Sequence, residues 1–405
     1  MFLAKKIIGL DILRFLMALI MVTYHVQPLL GKSFFNELSF NGFLATSTFF
    51  ILSGFILTHV YYKKIQTNTF SNTNFLIKRF SALYPIHIFT LLISILFFFI
   101  LHFIMKKSFP IEVGIHVLPG LTSDQTFSID FQDILLYILE AITLVHAWDY
   151  RFLFFNIASW SISALLFFYL FFFILVKNIK DIKNLNKLLI LLWCISLLPI
   201  IYLTSLQNFS NEIVGFIHRN PLLRLPDFIF GILFYLICLR VNKYSKKLQF
   251  FSIIFSILGF LSAHYLVKNN PQNWFFLAHN GLFLFPEMAL IYAFLNINIS
   301  NTKIKILIEK LGKCSLTIYM LHIPLLAIYN IIYKVILASF NSKSLNELIL
   351  NAKNIEYINL PAFIVFMIIL LAISYFLQEK VFTPIQIKLS NRLIIKKDSV
   401  HDKNR

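Results

Sequence analysis

A chain of 405 residues that is 59% hydrophobic and 13% charged, with a mean hydropathy of +0.78, lies outside the range of soluble globular domains. Its net charge of +18 does not point to nucleic acid, because the basic residues are scattered between apolar runs and form no patch interleaved with exposed aromatics. An integral membrane protein is expected, with the lipid bilayer as its solvent and no nucleic-acid partner.

The first apolar run, 7–29, carries Asp11, Arg14 and His25 in a stretch otherwise long and apolar enough to span. At 100° and 1.5 Å per residue, the eleven positions from Arg14 to His25 amount to three turns plus about 20°, so the two share one helix face about 16 Å apart. Asp11, Ala18 and Val22 fall close to the same stripe. Ionisable groups in a span are costly in lipid and mark a functional-site hypothesis. Lys5 and Lys6 ahead of this run imitate a signal peptide, yet no small-residue cleavage site follows and charges interrupt the apolar core, so an uncleaved anchor is expected.

Nine more spans are predicted at 43–62, 83–104, 160–176, 187–205, 222–240, 249–267, 280–298, 314–337 and 360–378. A further apolar stretch, 131–147, is short and contains Glu140 and His146. Charge decides its placement. With ten spans, twenty-five of the 36 Lys and Arg residues fall on the side of both termini, which the positive-inside rule makes cytoplasmic. An eleventh span at 131–147 would put the basic tail outside, so that stretch is expected to be an outer-side or partly re-entrant helix. The fold expected is all-α and polytopic, with about ten transmembrane helices, N- and C-termini cytoplasmic, one transmembrane domain over 1–385 and a basic tail over 386–405. Cys194, Cys238 and Cys314 lie in apolar spans without metal-ligand spacing and are expected to be buried thiols, with no metal site.

Several other residues stand out against the apolar background. Lys78 and Arg79 lie at the mouth of the third predicted span, which Tyr84 and Pro85 begin. Trp160 and Ser161 open the fourth. Arg224 and Asp227 near the start of the sixth are spaced for an i, i+3 pair. Glu287 follows Pro286, whose ring frees a backbone carbonyl in mid-span. His322 sits in mid-span and is costly there without a partner. Each has a plainer alternative: snorkelling or positive-inside charge for the cations, aromatic-belt anchoring for Trp160, and a satisfied structural pair for Arg224 or Glu287. The remaining histidines are expected to be interfacial or solvated.

The run G-L-D-I-L-R from Gly9, then His25 with ten residues between, and F-F-I-L-S-G-F-I-L-T from Phe49 resemble the opening of the membrane-bound acyltransferase-3 family. Further matches come in the same order: K-R-F-S-A-L-Y-P from Lys78, W-S-I-S-A-L-L-F-F-Y from Trp160, R-L-P-D-F-I-F-G from Arg224, L-G-K-C-S-L-T-I-Y-M-L-H-I-P from Leu311 and E-K-V-F-T-P from Glu379. They cover essentially the whole chain.

The resemblance implies a transferase of the bacterial cytoplasmic (inner) membrane. It would take an acyl group from cytoplasmic acyl-CoA, acetyl-CoA by default, and place it on a hydroxyl of a surface glycan or lipid-linked sugar, with no bound cofactor. Such chemistry needs a base for the hydroxyl proton, and the imidazole of His25 suits it. Arg14 would hold the thioester end or a phosphate of the donor, and Asp11 would orient the guanidinium. Lys78 and Arg79 would receive donor phosphates. Tyr84, Trp160, Ser161, Arg224, Glu287 and His322 would line the substrate path, with Trp160 stacking on sugar and Arg224 contacting the acceptor. The chain departs from the family pattern at Ala82, where members usually carry arginine, and at Leu165, where they usually carry glutamate. A glycan exporter or flippase, and a non-catalytic scaffold of an export complex, are the alternatives. The acceptor, the acyl chain and the oligomeric state stay open at this point.

Overall fold

The computed structural model describes residues 6–31, 40–104, 108–114, 126–151, 154–207 and 210–403. Each long apolar run forms a helix, because a chain in hydrocarbon must satisfy its own backbone hydrogen bonds. In chain order these are α1 (Ile8–Val26), α2 (Leu44–Gln66), α3 (Asn72–Ile104), the short α4 (Phe131–Ile142), α5 (Trp160–Ile179), α6 (Leu185–Ser205) and α7 (Asn211–Arg219). Then follow α8 (Pro221–Val241), α9 (Lys246–Asn269), α10 (Pro271–Leu277), α11 (Leu284–Phe294), α12 (Thr302–Ser339), α13 (Leu345–Asn354), α14 (Leu360–Leu377) and α15 (Thr383–Lys403). Among the described residues nine helices or continuous helix pairs are long and apolar enough to span, and a tenth span is a pair, Pro271–Leu282 and Leu284–Phe294, bent by 45°. All ten predicted spans are present, and the protein is an all-α polytopic membrane protein.

Two local features differ from the sequence-based expectation, the start of α3 and a short hairpin, while the short helix near 131 agrees with it. Helix α3 begins at Asn72, not near 83, so Lys78, Arg79, Tyr84 and Pro85 all lie inside it. The polar first turns form helix as readily as the apolar ones and carry it beyond the hydropathy signal. Helix α4 has 12 residues, about 18 Å of rise, too short to cross a 30 Å core. Its start is fixed by a reciprocal capping box between Asp130 and Asp133. Ahead of it, Ile111–Gly114 (β1) and Thr126–Ile129 (β2) pair antiparallel with Ile111 opposite Ile129, a hairpin the hydropathy pattern does not announce.

The predicted span 280–298 is broken because Ala278–Leu282 is a π-helical turn in which Gly281 takes φ +96°, a conformation that excludes most side chains. Close packing is set by glycine. Helices α2 and α8 touch along their length, and a Cβ on Gly54 would strike the Phe228 carbonyl while one on Gly231 would strike the Ile51 carbonyl. Helix α1 packs on α12, α15 on α3, and α14 on α12. Large apolar side chains such as Phe250, Phe251, Phe255 and Leu258 on α9 point outward, as lipid requires of a helix at the rim.

Two expectations about solvation are corrected. His87, His146 and His279 are buried: His87 Nε2 lies 2.8 Å from the Ala141 carbonyl, His146 Nε2 3.1 Å from Ser159 Oγ, and His279 Nδ1 3.2 Å from the Phe43 carbonyl. Each imidazole found an internal partner, which removes the reason to stay in water. Cys194 is exposed, on the outer face of α6, whereas Cys238 and Cys314 are buried free thiols.

Candidate active site

The stripe of α1 that carries the ionisable residues faces inward. Ala18 and Val22, the small residues between Arg14 and His25, are fully buried, and the stripe lies against α12. Residue numbers rise together along the contact, with Asp11 against Gly312 and His25 against His322, so the two helices run parallel. A Cβ on Gly312 would collide with Asp11, which explains the glycine in the L-G-K-C piece.

At the Asp11 end, the carboxylate pairs with Arg14 through one oxygen and sits 3.5 Å from Lys6 Nζ through the other. Lys6 is also 3.1 Å from Glu309 of α12. Asp11 therefore fixes the position of the guanidinium, while Arg14 itself looks into a cavity of about 600 Å³. Arg79 and Lys313 line the same cavity, and Arg79 donates to Tyr61 Oη at 3.3 Å. The Nε atoms of Arg14 and Arg79 are buried, and among the described residues neither has an acceptor. Arg14, Arg79 and Lys313 give the cavity lining its positive charge.

The walls beyond the cations are mostly apolar, from Phe49, Phe50, Leu52, Leu83, Ile162 and Leu165, with Ser53, Ser161 and Gln378 between them. Ala82 and Leu165, the two departures from the family pattern, both line this space. So do Gln386 and Ile387 of α15, which lie beyond the expected domain boundary at 385. Tyr319 also lines the cavity, its hydroxyl donating to the Ala158 carbonyl at 3.1 Å and its ring 5.9 Å from that of Phe49.

His25 and His322 are not among the lining residues. They lie close to Tyr319, whose ring centroid is 5.7 Å from that of His322. His322 is fully buried and its Nε2 is 2.9 Å from Nδ1 of the half-buried His25. Tyr319 thus both lines the cavity and contacts one of the two imidazoles.

Most of the residues that line this cavity, and both histidines, fall within the part of the chain that the sequence comparison covers. The family model described as an acyltransferase domain, that of the acyltransferase-3 family, matches residues 7–379. The chain belongs to the acyltransferase-3 family. A curated relative, "Protein 2 in picA locus" of Rhizobium radiobacter, is 34% identical over 98 residues, covering 24% of this chain and 49% of that protein, so the chain matches about half of its relative's length. No solved structure matches.

Not every residue singled out in this acyltransferase-3 chain comes to the cavity. Lys78 is exposed and points away from the lining, although its neighbour Arg79 does not. Tyr84 stacks on Phe80 with ring centroids 4.5 Å apart. Trp160 is 4% exposed and makes edge contacts with Phe50 and His218 at 5.9 Å and 5.2 Å, so its faces are taken up by the protein. Arg224 is fully buried and donates to Ser47 Oγ at 2.9 Å, Asn280 Oδ1 at 3.1 Å and the His279 carbonyl, while it pairs with Asp227 at 3.0 Å. Those contacts tie α2, α8 and the broken span together. Glu287 is 1% exposed and interacts electrostatically with Arg224 and Asp227 in the same buried group.

Tyr319 and Lys313 were not picked out from sequence, although a signal existed. Gly312, Ser315, Leu316 and Tyr319 recur at i, i+3, i+4 and i+7, and all four line the cavity. That stripe ends three residues before His322.

Proposed function

We propose that this acyltransferase moves an acyl group, acetyl by default, from acyl-CoA to a hydroxyl of a surface glycan or lipid-linked sugar in the bacterial cytoplasmic membrane. The observation that carries this reading is the cavity: Arg14, Arg79 and Lys313 at one end, Tyr319 and then the His25–His322 pair at the other. A CoA thioester has the matching polarity, with phosphates at one end and a neutral thioester at the other. The concentration of Lys and Arg on the side of both termini supports a cytoplasmic Arg14 end and an outward His25 end.

In this reading the phosphates rest on the cations that line the cavity, Arg14, Arg79 and Lys313, and the pantetheine arm follows its apolar walls to Tyr319. His25 takes the proton of the acceptor hydroxyl as its oxygen bonds to the thioester carbonyl carbon; the C–S bond breaks and the thiolate sulfur receives the proton. The acceptor comes to His25 from its partly exposed side. Binding of acyl-CoA from one face and acceptor from the other makes a passage through the bundle a requirement of the chemistry.

The experiment is a comparison of surface-glycan ester content by NMR between cells with wild-type protein and cells with His25→Ala inserted at equal level. Loss of ester with continued export of glycan is the expected result. Unchanged ester content would remove His25 from the chemistry, and loss of the glycan itself would indicate an exporter.

A further inference from the structure

His322 is the one fully buried imidazole in direct contact with the base, and proton transfer at His25 leaves it without a part. Its hydrogen bonds give it one. His322 Nδ1 is within hydrogen-bond distance of the Tyr319 carbonyl, one turn back on α12. A carbonyl oxygen only accepts, so Nδ1 carries the proton and donates. The alternative tautomer would set the Nδ1 lone pair against the carbonyl lone pairs in a site closed to water, which is repulsive without compensation.

In neutral His322 the other nitrogen, Nε2, then has only a lone pair. It lies 2.9 Å from His25 Nδ1, so His25 must donate there, and its own proton is held on Nδ1. The free lone pair of His25 is therefore on Nε2. We propose that His322 is a positioning residue: by accepting from His25 Nδ1–H it fixes the tautomer and ring orientation of His25 and makes Nε2 the basic nitrogen. This rests on the reading of His25 as the base.

Proton and electron counts balance with His322 unchanged. The hydroxyl proton moves to His25 Nε2, and the resulting imidazolium still donates Nδ1–H to His322. After the C–S bond breaks, the Nε2 proton passes to the thiolate sulfur. His322 has no exposed surface and does not line the cavity, so it acts through His25 and not on the substrates.

The test uses two amides that differ in reach. In His322→Gln the side-chain carbonyl extends to about the place of Nε2 and can accept from His25; in His322→Asn it stops near the place of Nδ1 and cannot. Both are polar and similarly costly to bury, so a fold effect should strike them alike. Initial rates of ester formation are measured in membrane vesicles containing the full-length protein and its acceptor, with acetyl-CoA varied, after ester formation is shown for wild type. The expected kcat for Gln is within about tenfold of wild type, and for Asn it is lower than Gln by about a hundredfold, on the scale of a general-base contribution. KM for acetyl-CoA should stay within about twofold in both. Equal kcat values for Gln and Asn, high or low, overturn the positioning role. His25→Ala in the same vesicles keeps the two readings apart: transfer at wild-type rate there overturns the base assignment, whereas an inactive His25→Ala beside equal Gln and Asn variants sinks the inference alone.

Discussion

At the scale of single residues, the proposed division between donor and acceptor chemistry falls at Tyr319. Its ring lines the cavity and contacts His322, and in the proposed mechanism it keeps water from the imidazole pair. Tyr319→Ala is expected to raise acyl-CoA hydrolysis several-fold in the absence of acceptor, as followed by release of free CoA thiol. Hydrolysis at the wild-type rate would show that the ring is no barrier. Arg14 makes a different demand, since its guanidinium is already paired with Asp11 while the residue lines the cavity. Arg14→Lys keeps the charge and loses the planar fork, and a drop of roughly tenfold in acyl-CoA affinity, about 1.4 kcal/mol, is expected by calorimetry. His25→Ala should bind donor nearly as well as wild type. The reverse pattern would place the imidazole in the donor site.

At the scale of elements, two contacts decide how the helices sit. Gly54 and Gly231 let α2 and α8 approach backbone to backbone, and Phe50 on α2 covers both the buried Arg224 and the cavity wall. Gly54→Leu has no space to occupy, and a loss of about 1–3 kcal/mol is expected as a lower thermal midpoint in detergent. A midpoint equal to wild type would mean the helices separate freely. The other contact lies outside the spans, where α4 and the turn after it hold Glu140, His146, Asp149 and Arg151. Burial first, and the Asp149 charge second, push the Glu140 carboxyl up to about 7, with Arg151 opposing. From the ordinary value of 4.5 to about 7 the folded protein holds a proton that the unfolded chain has lost, so the Glu140 contribution to stability falls as pH rises through that window. His146, driven down to about 3 by burial and then by His87, works in the opposite sense below 6.5. Both proteins keep His146, so the stability difference between wild type and Glu140→Gln isolates the carboxyl. That difference should move against wild type as pH rises from 4.5 to 7; a constant difference would mean that Glu140 is ordinary.

At the scale of the whole molecule, the charge pattern sets orientation. A reporter after Arg405 should read cytoplasmic and one within 115–125 should read external, following the excess of Lys and Arg on the side of the termini. A C-terminal reporter active outside would invert the assignment of the Arg14 cavity as well. The segment 115–125, which includes His116, lies outside the described residues.

The sequence by itself determined the class, the ten spans and the α1 stripe, because these depend on local quantities: apolar length against bilayer thickness, and 100° of rotation per residue. Asp11, Arg14 and His25 were legible for that reason, and ordered motifs made the family legible from Gly9 to Glu379. Tertiary structure decided what the stripe faces. That Arg14 looks into a cavity and His25 does not depends on where Tyr319 stands, more than 290 positions away in the chain, and no local pattern carries that. The same holds for Arg224 and Trp160, whose residue types invite a substrate role but whose terminal guanidinium nitrogens and indole ring are engaged by Ser47, His279, Asn280, Phe50 and His218. Whether a buried polar group is satisfied is a property of its neighbours in space, and the packing of α1 on α12 and of α2 on α8 is what chooses those neighbours.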